Sequence, residues 1–513
     1  MRNLLPAERW CLALAALPVL LLAFVVPRRL PAPFDLEWLE GGMVLHAERL
    51  ARGEPLYVPP SVDWTPFLYP PGFPAVVAGI AGLTGEDGLL VGRLVSLLST
   101  LGAALVLAAL VRRRGGGWPA ALWGGLAFLG TYALSGFWFD LCRVDALAHL
   151  LLVAGAALLL GGDPAARLTA WRGLLDVGAG LLVAASLLTK QTGLAAAVAL
   201  LPAIGGQAWR RALLFTAGLA AGTTLPVLRL RAASDGWFWT YVVTVPSAHP
   251  VPWTQAIAAC GELARSLPVA AVVLALLPFV PRPLLSRLDP AGATPEARRR
   301  LDPWLWPGLA TLLSCVWARA HAGSYDNVFL GAHWFAILAL ARLWDRCLTL
   351  PPATDTGRAA RTLAAVALGL QALLCLYDPR AVMPARDAAQ RHEALRLLLS
   401  RAPGEIFFPD RPLLVARAGT GHHAHGMALN DVRRAALAGA PAPDLDALWA
   451  TRRFAAVIVR PDAITPALEA NYVAAPGLTA AVRAAPFPLT GWYTTNLFGM
   501  RLRLPDDPPP AGE

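Results

Sequence analysis

The chain has 513 residues, of which 56% are hydrophobic and only 15% are charged, and its mean hydropathy is +0.51. Soluble globular proteins carry about 25% charged residues, so this composition excludes a water-soluble enzyme and predicts a large membrane domain. The formal net charge is +10, but the basic residues lie between apolar runs and form no patch that predicts nucleic-acid binding. The six cysteines are scattered without a C-x-x-C pair, which predicts neither a disulfide framework nor a zinc site.

Apolar runs of about 17 to 22 residues recur along the first 380 positions, and each is long enough to cross a bilayer. The first run has a basic flank but no convincing cleavage site, so we expect it to be a retained anchor. The runs predict eleven membrane spans, near 10–26, 88–111, 118–136, 144–161, 173–189, 193–208, 212–228, 267–281, 304–318, 328–345 and 362–378.

The stretch 69–85 decides the topology, because every later loop changes side if this stretch spans the membrane. When it is interpreted as a short juxtamembrane helix, eighteen basic residues fall on the cytoplasmic side and eleven on the exterior side. The positive-inside rule favours this interpretation. It predicts a multi-pass protein of the cell inner membrane whose first loop, 27–87, faces the periplasm or exterior together with the tail after residue 378.

The composition changes after residue 378, which divides the chain into a membrane domain, 1–378, and a small α/β domain, 379–513. The tail holds an amphipathic stretch at 391–402 that predicts a helix. Two short apolar runs, EIFFPD at 405–410 and FAAVIVRP at 454–461, predict strands. The final PDDPPPAGE predicts a disordered end.

Ionisable residues gather on the predicted exterior side, where the cost of burying them makes them functional candidates. The first loop carries Asp35, Glu37 and Glu40, and a helix over 38–52 would hold Glu40 in its first turn, where the helix N-terminus stabilises an anion. Two such carboxylates, Asp35 and Glu40, can act in general acid–base catalysis. Alternatively they can bind a divalent cation, Mg²⁺ or Mn²⁺, that also contacts phosphate oxygens. A solvated acidic loop that caps a helix is the alternative.

Three further polar clusters fall on the same side: Asp140, Arg143 and Asp145; Lys190 and Gln191; and Arg319, His321, Asp326 and Asn327. Lys190 is the only lysine of the chain, and its compact ammonium suits a point-charge contact with phosphate. A snorkelling lysine without a partner is the alternative. Arg143 either binds a ligand or pairs with Asp145, and the sequence leaves both open.

Two other groups of residues favour structural roles. The spacing of His422, His423 and His425 fits no helix face, so an exposed histidine-rich loop is favoured over a metal site. Tyr57, Trp64 and Tyr69 either stack on a sugar or belong to an interfacial aromatic belt, and the belt is favoured.

Several motifs on the predicted exterior side follow one another in an order that resembles GT-C glycosyltransferases. These are the polytopic enzymes related to protein O-mannosyltransferases and aminoarabinose transferases. Better-studied members carry adjacent Asp and Glu residues in the first loop, whereas Leu39 precedes Glu40 here. The matching motifs are D-x4-E-G at 35–41, A-x-x-L-x-x-G-x-P-L-Y at 47–57, YPPG at 69–72, RVD at 143–145, KQTG at 190–193 and GSYDN at 323–327.

The resemblance implies an α-helical polytopic fold with juxtamembrane helices in the first loop and an exterior C-terminal domain. It implies inverting transfer of a sugar from a polyprenyl-phosphate donor to a hydroxyl of a lipid, glycan or protein. Lys190 and Arg143 would neutralise the phosphate, and Asp35, or second Glu40, would deprotonate the acceptor. Further site candidates are Glu37, Asp145, Gln191, Asp326, Asn327 and Tyr69.

A transporter or flippase of lipid-linked sugars is the alternative function. Such a protein is expected to have polar residues along a mid-membrane path and broken helices in repeated halves. In this chain the ionisable residues gather at the predicted ends of the spans. The sequence therefore favours the transferase.

Overall fold

A computed structural model describes residues 4–113, 116–161, 169–204, 209–276, 303–321, 323–436, 441–486, 488–491 and 501–505. The helices of the N-terminal part are α1 (Pro6–Arg29), α2 (Glu40–Ala51), α3 (Gly72–Thr84), α4 (Gly88–Arg113), α5 (Trp118–Gly130), α6 (Val144–Leu160), α7 (Ala170–Leu187), α8 (Leu194–Ile204), α9 (Trp209–Ala233), α10 (Trp253–Ser266), α11 (Pro268–Leu276), α12 (Leu305–Ala320), α13 (Leu330–Leu348) and α14 (Asp355–Leu373). Short helical turns lie at Gln191–Gly193, Trp237–Trp239, Thr240–Thr244, Val245–Ser247, Asp326–Phe329 and Pro379–Val382.

Each of the eleven predicted spans contains one of these helices, although 205–208 and 277–281 lie outside the described residues. The chain is a multi-pass membrane protein, and the number of its crossings stays a prediction. The helices with the length and hydropathy of a membrane span are Pro6–Arg29, Gly88–Arg113, Ala170–Leu187, Trp209–Ala233 and Asp326–Leu348. Shorter apolar helices are Gly72–Thr84, Val144–Leu160 and Gln191–Ile204.

Buried ion pairs mark the two ends of the helix bundle. At one end Glu8 of α1 accepts a hydrogen bond of 2.7 Å from Arg361 of α14. At the other end Arg29 lies 2.7 Å from Asp140, and both side chains are fully buried. Isolated charges are costly to bury, so each pair fixes the ends of distant segments against each other. We call the end that holds Arg29 and Asp140 the first-loop end.

Helix α3 covers the stretch that decides the topology, and both of its ends lie at the first-loop end. The amide of Gly72 donates a hydrogen bond of 2.8 Å to the carbonyl oxygen of Leu188, just beyond α7. Four residues after α3 ends, Gly88 opens α4 and packs against Val44 of α2. Helix α3 therefore starts and ends on one side of the bundle, which is the arrangement of a juxtamembrane helix.

The C-terminal part forms a four-stranded sheet with helices around it. Strand β1 pairs in parallel with β2, and β4 pairs antiparallel with both β2 and β3, so the order is β1-β2-β4-β3. The strands are β1 (Ile406–Phe407), β2 (Ala456–Val459), β3 (Tyr472–Ala474) and β4 (Arg501–Pro505). The helices are α15 (Ala388–Leu399), α16 (Pro412–Ala418), α17 (Gly426–Ala436), α18 (Leu445–Ala450), α19 (Pro466–Asn471) and α20 (Pro476–Ala484), with a helical turn at Pro461–Ala463.

The helix and the two strands predicted from the sequence lie at α15, β1 and β2. The predicted disordered end, apart from Pro505, lies outside the described residues.

The C-terminal part packs directly on the first loop. The indole N–H of Trp38 donates to Asp410 at 3.0 Å, and the Ala424 amide donates to the carbonyl oxygen of Val62 at 2.8 Å. Leu413 and Ala428 belong to the same buried apolar cluster as the first residues of α2. The first loop and the C-terminal part therefore lie together at one end of the bundle.

Candidate functional site

Glu40 opens α2 and is saturated by structural hydrogen bonds. Its Oε1 accepts from Arg93 Nε at 2.9 Å and from the Cys142 amide at 2.7 Å, while Oε2 accepts from Arg93 Nη2 and the Leu36 amide, both at 2.7 Å. Burial alone would raise the pKa of Glu40, but the Arg93 guanidinium outweighs it and lowers this pKa. This geometry favours a structural role for Glu40 over the role of second candidate base that was predicted from the sequence.

Asp35 lies between α2 and the C-terminal part. A methyl group added at Gly41 would lie 2.5 Å from Asp35 Oδ1 and 2.8 Å from Leu413 Cβ, so the loop, α2 and α16 approach closely here. Among the described residues, Oδ1 is buried and has no hydrogen-bond partner. Burial raises the pKa of Asp35 to about 6, against the opposing charge of Arg411.

Lys190, Asp145 and Asn327 come together at the first-loop end. Lys190 Nζ lies 2.5 Å from Asp145 Oδ1, and Asn327 Nδ2 donates to the same oxygen at 2.8 Å. The indole N–H of Trp138 donates to Asp145 Oδ2 at 2.9 Å. The Lys190 side chain is only 13% exposed, so the structure does not support a snorkelling lysine without a partner. Three motifs that are far apart in sequence thus meet at one carboxylate.

Arg143 caps α6 and pairs with Glu37 rather than with Asp145. Its Nη1 donates to Glu37 Oε2 at 3.1 Å, and Nη2 donates to the Tyr69 hydroxyl at 3.4 Å. Its guanidinium also lies 5.2 Å from the centre of the Trp138 ring. Among the described residues the buried Nε has no partner. One donor of Arg143 is therefore left for another acceptor.

Glu37 is the first-loop carboxylate that touches this cation group. Its Oε2 also accepts a hydrogen bond of 3.0 Å from the Leu39 amide. Burial raises the pKa of Glu37 to about 7, against the opposing charge of Arg143. The neighbouring charges of Glu40 and Asp145 raise the pKa further. The site therefore holds Glu37, Arg143, Asp145 and Lys190 as two adjoining cation–carboxylate pairs.

Gln191 and Asp326 lie beside this group in different ways. Gln191 Nε2 donates to the carbonyl oxygens of Leu68 and Val242, at 2.8 and 3.1 Å, which joins the first loop to the segment after α9. Asp326 is half-buried and lies 4.0 Å from Arg319. Gln191 therefore acts as a structural link, and Asp326 lies at the edge of the site.

The first-loop aromatic residues pack inside the loop. Tyr57 is buried and donates its hydroxyl to the carbonyl oxygen of Tyr69 at 2.8 Å. Trp64 packs on His46, with ring centres 4.7 Å apart, and donates its indole N–H to Leu56. Because Tyr57 is buried, the structure supports internal packing for it and not the belt that the sequence favoured.

A cavity of about 90 Å³ opens beside Lys190, between α6, α8, α12 and α13. The helices that border it expose apolar side chains, including Leu194 and Val198 of α8 and Leu313 of α12. The cavity is thus lined by polar and apolar side chains together, and the helices that border it expose apolar side chains. Its polar lining consists of Asp145, His149, Ser186, Lys190, Thr192, Thr311, Ser314 and Asn327.

Two of the three histidines of the motif are buried, in contrast to the exposed loop that the sequence predicted, whereas His422 is exposed. His423 and His425 are both buried, and His425 Nε2 lies 2.9 Å from the carbonyl oxygen of Trp38. The Met427 amide donates to His425 Nδ1 at 3.0 Å, so this imidazole is neutral. Burial lowers its pKa to about 3. The motif is therefore part of the contact between the C-terminal part and the first loop.

Glu40, one of the two carboxylates proposed from the sequence for a divalent cation, does not fit that role. Glu40 already accepts four hydrogen bonds, two of them from the Arg93 guanidinium, whose charge repels a metal ion. Within the described ranges, no group of three or more His, Cys, Asp or Glu side chains is placed to hold a metal ion.

Sequence reasoning missed three residues that support the site. Arg93 anchors Glu40, Arg411 faces Asp35, and Asp410 binds Trp38. A signal for Arg93 was present, because an arginine inside a predicted apolar span requires a buried partner. Asp410 and Arg411 carry no such signal, since their contacts join segments more than 350 residues apart.

No family model matches the chain, and no curated protein sequence matches it. Two solved structures of ArnT from Cupriavidus metallidurans are similar to it. The structure bound to undecaprenyl phosphate has a TM-score of 0.55 and 14% identity over 96% of this chain and 97% of that chain. The apo structure has a TM-score of 0.55 and 15% identity over 94% and 97%. The chain has the GT-C fold.

A weaker similarity links the chain to the oligosaccharyltransferase AglB from Archaeoglobus fulgidus, solved with an inhibitory peptide and a dolichol-phosphate. Its TM-score is 0.46 with 13% identity, over 88% of this chain and 69% of that chain. At this TM-score the similarity carries no argument. The GT-C fold thus rests on ArnT, and the function must be argued from the site.

Proposed function

We propose that the chain is a membrane glycosyltransferase that moves a sugar from a polyprenyl-phosphate donor to an acceptor hydroxyl. The observation that carries the proposal is the position of Lys190 and Arg143. Lys190 lines a cavity whose bordering helices expose apolar side chains. Arg143 lies in the adjoining ion pair with the first-loop carboxylate Glu37, in a chain with the fold of ArnT. A lipid phosphate is the ligand that needs a cation at the membrane surface and an apolar path for its chain.

The positive charges of Lys190 and Arg143 support binding of a phosphate. The Asp145 carboxylate raises the pKa of Lys190 against the effect of burial, so this amine is charged. Arg143 keeps one donor, Nε, without a partner among the described residues. Asp145 and Glu37 balance these two cations. A phosphate that enters would take over part of both contacts, and the ArnT structure was solved with such a lipid phosphate.

We propose Glu37 as the general base, with Asp35 as the alternative from the sequence. A general base works best when its pKa lies near the working pH, and burial raises the pKa of Glu37 to about 7. Glu37 also touches Arg143, whereas Asp35 lies against α2 and α16. Glu40 is the weakest candidate because all its acceptor positions are filled by structural donors.

The proposed reaction is a single displacement with inversion. Glu37 takes the proton of the acceptor hydroxyl, and the acceptor oxygen attacks the anomeric carbon from the face opposite the phosphate. The bond from the anomeric carbon to the phosphate oxygen breaks, and its electron pair leaves with the lipid phosphate. Lys190 and Arg143 stabilise the charge that develops on this leaving group. Asp145 and Asn327 position Lys190.

The arginine distribution supports a location in the cell inner membrane, with the site and the C-terminal part facing the periplasm or exterior. The acceptor is then a lipid, glycan or protein on that side. Mass spectrometry of lipid-linked sugars in a deletion strain tests the proposal. We expect one polyprenyl-phosphate sugar to accumulate and to disappear when the gene is restored. Unchanged lipid-linked sugars would contradict the transferase, and accumulation on the cytoplasmic side alone would indicate a flippase.

A further inference from the structure

The C-terminal part contains a second cavity, of about 170 Å³, that the proposed reaction does not use. It lies where the parallel strands β1 and β2 end, and its lining includes Asp410 after β1 and Arg460 after β2. The carboxyl ends of parallel strands are a common place for ligands in α/β sheets. An apolar cavity of about 150 Å³ is large enough to hold benzene. The space therefore admits one six-membered ring.

The lining of this cavity favours a neutral polyhydroxyl ligand. It presents carboxylates of Asp410 and Asp446, guanidinium groups of Arg433 and Arg460, and the amide of Asn430. The lining thus offers both hydrogen-bond donors and hydrogen-bond acceptors. Both can bind the vicinal hydroxyls of a sugar, because a hydroxyl donates and accepts hydrogen bonds at the same time. Apolar side chains such as Leu429, Leu445 and Val459 supply the remaining walls.

Two features of the lining bear on the choice of ligand. Trp449 lines the cavity and supplies an apolar aromatic surface on which a sugar ring can pack. A nucleotide fits less well, because Asp410, three residues after the end of β1, lines the cavity and a phosphate would have to approach its carboxylate.

The cavity wall also contacts the first loop beside the candidate base. Asp410 accepts a hydrogen bond of 3.0 Å from the indole N–H of Trp38, and the Arg460 guanidinium lies 5.6 Å from the centre of the same indole. Trp38 follows Glu37 directly in sequence. The cavity is therefore connected to the candidate base through the side chain of Trp38.

We propose that this cavity binds one sugar unit of a carbohydrate acceptor. The inference rests on the proposed transferase function and specifies its acceptor as a glycan. The cavity holds a sugar ring near the acceptor hydroxyl, so that the reacting hydroxyl is presented to Glu37. Asn430 and Arg433 bind the ring in this account, and they form no ion pair or hydrogen bond with another side chain in the part of the chain that the structure describes.

Binding of simple sugars to the purified full-length chain tests the proposal without any donor. The probes are the methyl glycosides of glucose, mannose, galactose and N-acetylglucosamine at millimolar concentrations, followed by saturation-transfer NMR. We expect at least one of them to bind, and Asn430→Ala and Arg433→Ala each to weaken its binding about tenfold, as the loss of a polar contact does. Arg434→Ala is the matched control, because Arg434 is exposed on the same helix and does not line the cavity.

The results separate this inference from the proposed function. If the unmodified chain binds none of the four glycosides, or if Arg434→Ala weakens binding as much as Arg433→Ala, the sugar site is refuted even when the chain is a transferase. If sugar binding depends on Asn430 and Arg433 while Glu37→Gln and Asp35→Asn both retain full turnover, the sugar site stands and the proposed mechanism fails. In the transfer reaction Arg433→Ala should raise KM for the glycan and leave kcat nearly unchanged.

Discussion

Lys190 is held in place by Asp145, so its role in activity has to be separated from its role in that pair. We predict that Lys190→Ala lowers turnover about 10²-fold or more, the range seen when one preorganised donor to a developing anion is removed. Lys190→Arg should recover only part, because a planar guanidinium replaces a point charge poorly. Turnover and expression level of the purified variants are the measurements.

The control for Lys190→Ala is the double variant that combines Lys190→Ala with Asp145→Asn. The single alanine variant leaves Asp145 buried without its cation, a costly arrangement that the double variant relieves. We therefore expect the double variant to regain stability and to remain inactive. Recovery of turnover in the double variant would make Lys190 a structural partner of Asp145 only.

The pH dependence of the reaction distinguishes the two candidate bases. A base works in its ionised form, so the rate falls as the pH drops below its pKa. Because burial raises the pKa of Glu37 to about 7 and that of Asp35 to about 6, kcat/KM should decline below about pH 7 if Glu37 is the base. Arg411→Met removes a positive charge that lowers the pKa of Asp35. If Asp35 is the base, this variant should therefore shift the decline of kcat/KM to higher pH; if Glu37 is the base, the decline should stay where it is.

Glu40 should matter for stability. Glu40→Gln removes the charge that compensates Arg93 in a fully buried pair, and breaking such a pair costs about 3–5 kcal/mol. Glu48→Gln is the matched control, because its ion pair with Arg417 is partly exposed and such a pair contributes at most about 1 kcal/mol. Thermal unfolding in detergent measures both. Equal stability of the two variants would remove the structural role assigned to Glu40.

At the scale of single residues, the sequence identified most members of the site but not their partners. The order of the motifs placed Lys190, Asp145 and Asn327 on one side, and the structure brings them to one carboxylate. The pairing of Arg143 with Glu37 depends on where α6 begins relative to the first loop, which local patterns do not contain. For the same reason, the sequence ranked Asp35 and Glu40 above Glu37.

At the scale of elements, apolar periodicity was a strong guide. The apolar runs located the helices because a bilayer requires long apolar segments. Helix length does not distinguish α3 from a predicted span, since α3 and α5 both have 13 residues. The juxtamembrane position of α3 was instead predicted from the distribution of basic residues between the two sides of the membrane. The short strands β1 and β2 were found because each is a buried apolar run. The cavities were not predictable, because they depend on how distant helices pack.

The position of α3 makes a prediction about topology. Gly53 follows α2 in an exposed turn, and Pro403 is exposed after α15, so both sites tolerate fusions. Reporters at these two positions should both be active as periplasmic phosphatase and silent as cytoplasmic markers. Reporters on opposite sides would mean that 69–85 crosses the membrane and that the assignment of the site is wrong.

At the scale of the whole molecule, the C-terminal part forms one wall of the site region. It places α16 against Asp35, Asp410 against Trp38 and His425 against the carbonyl oxygen of Trp38. The first loop is thus held between the helix bundle and the C-terminal part. This arrangement fixes the two candidate bases in a region largely removed from water, where charges act strongly on each other.

The central claim is that a first-loop carboxylate removes the proton of the acceptor while Lys190 and Arg143 stabilise the lipid phosphate. Its most direct test is sugar transfer by the purified chain, with the lipid-linked sugar from the deletion strain as donor. We predict that Glu37→Gln lowers kcat about 10²-fold or more, as loss of a positioned general base does, with donor binding near normal and Asp35→Asn less affected. If Glu37→Gln and Asp35→Asn both retain full turnover, the account is contradicted.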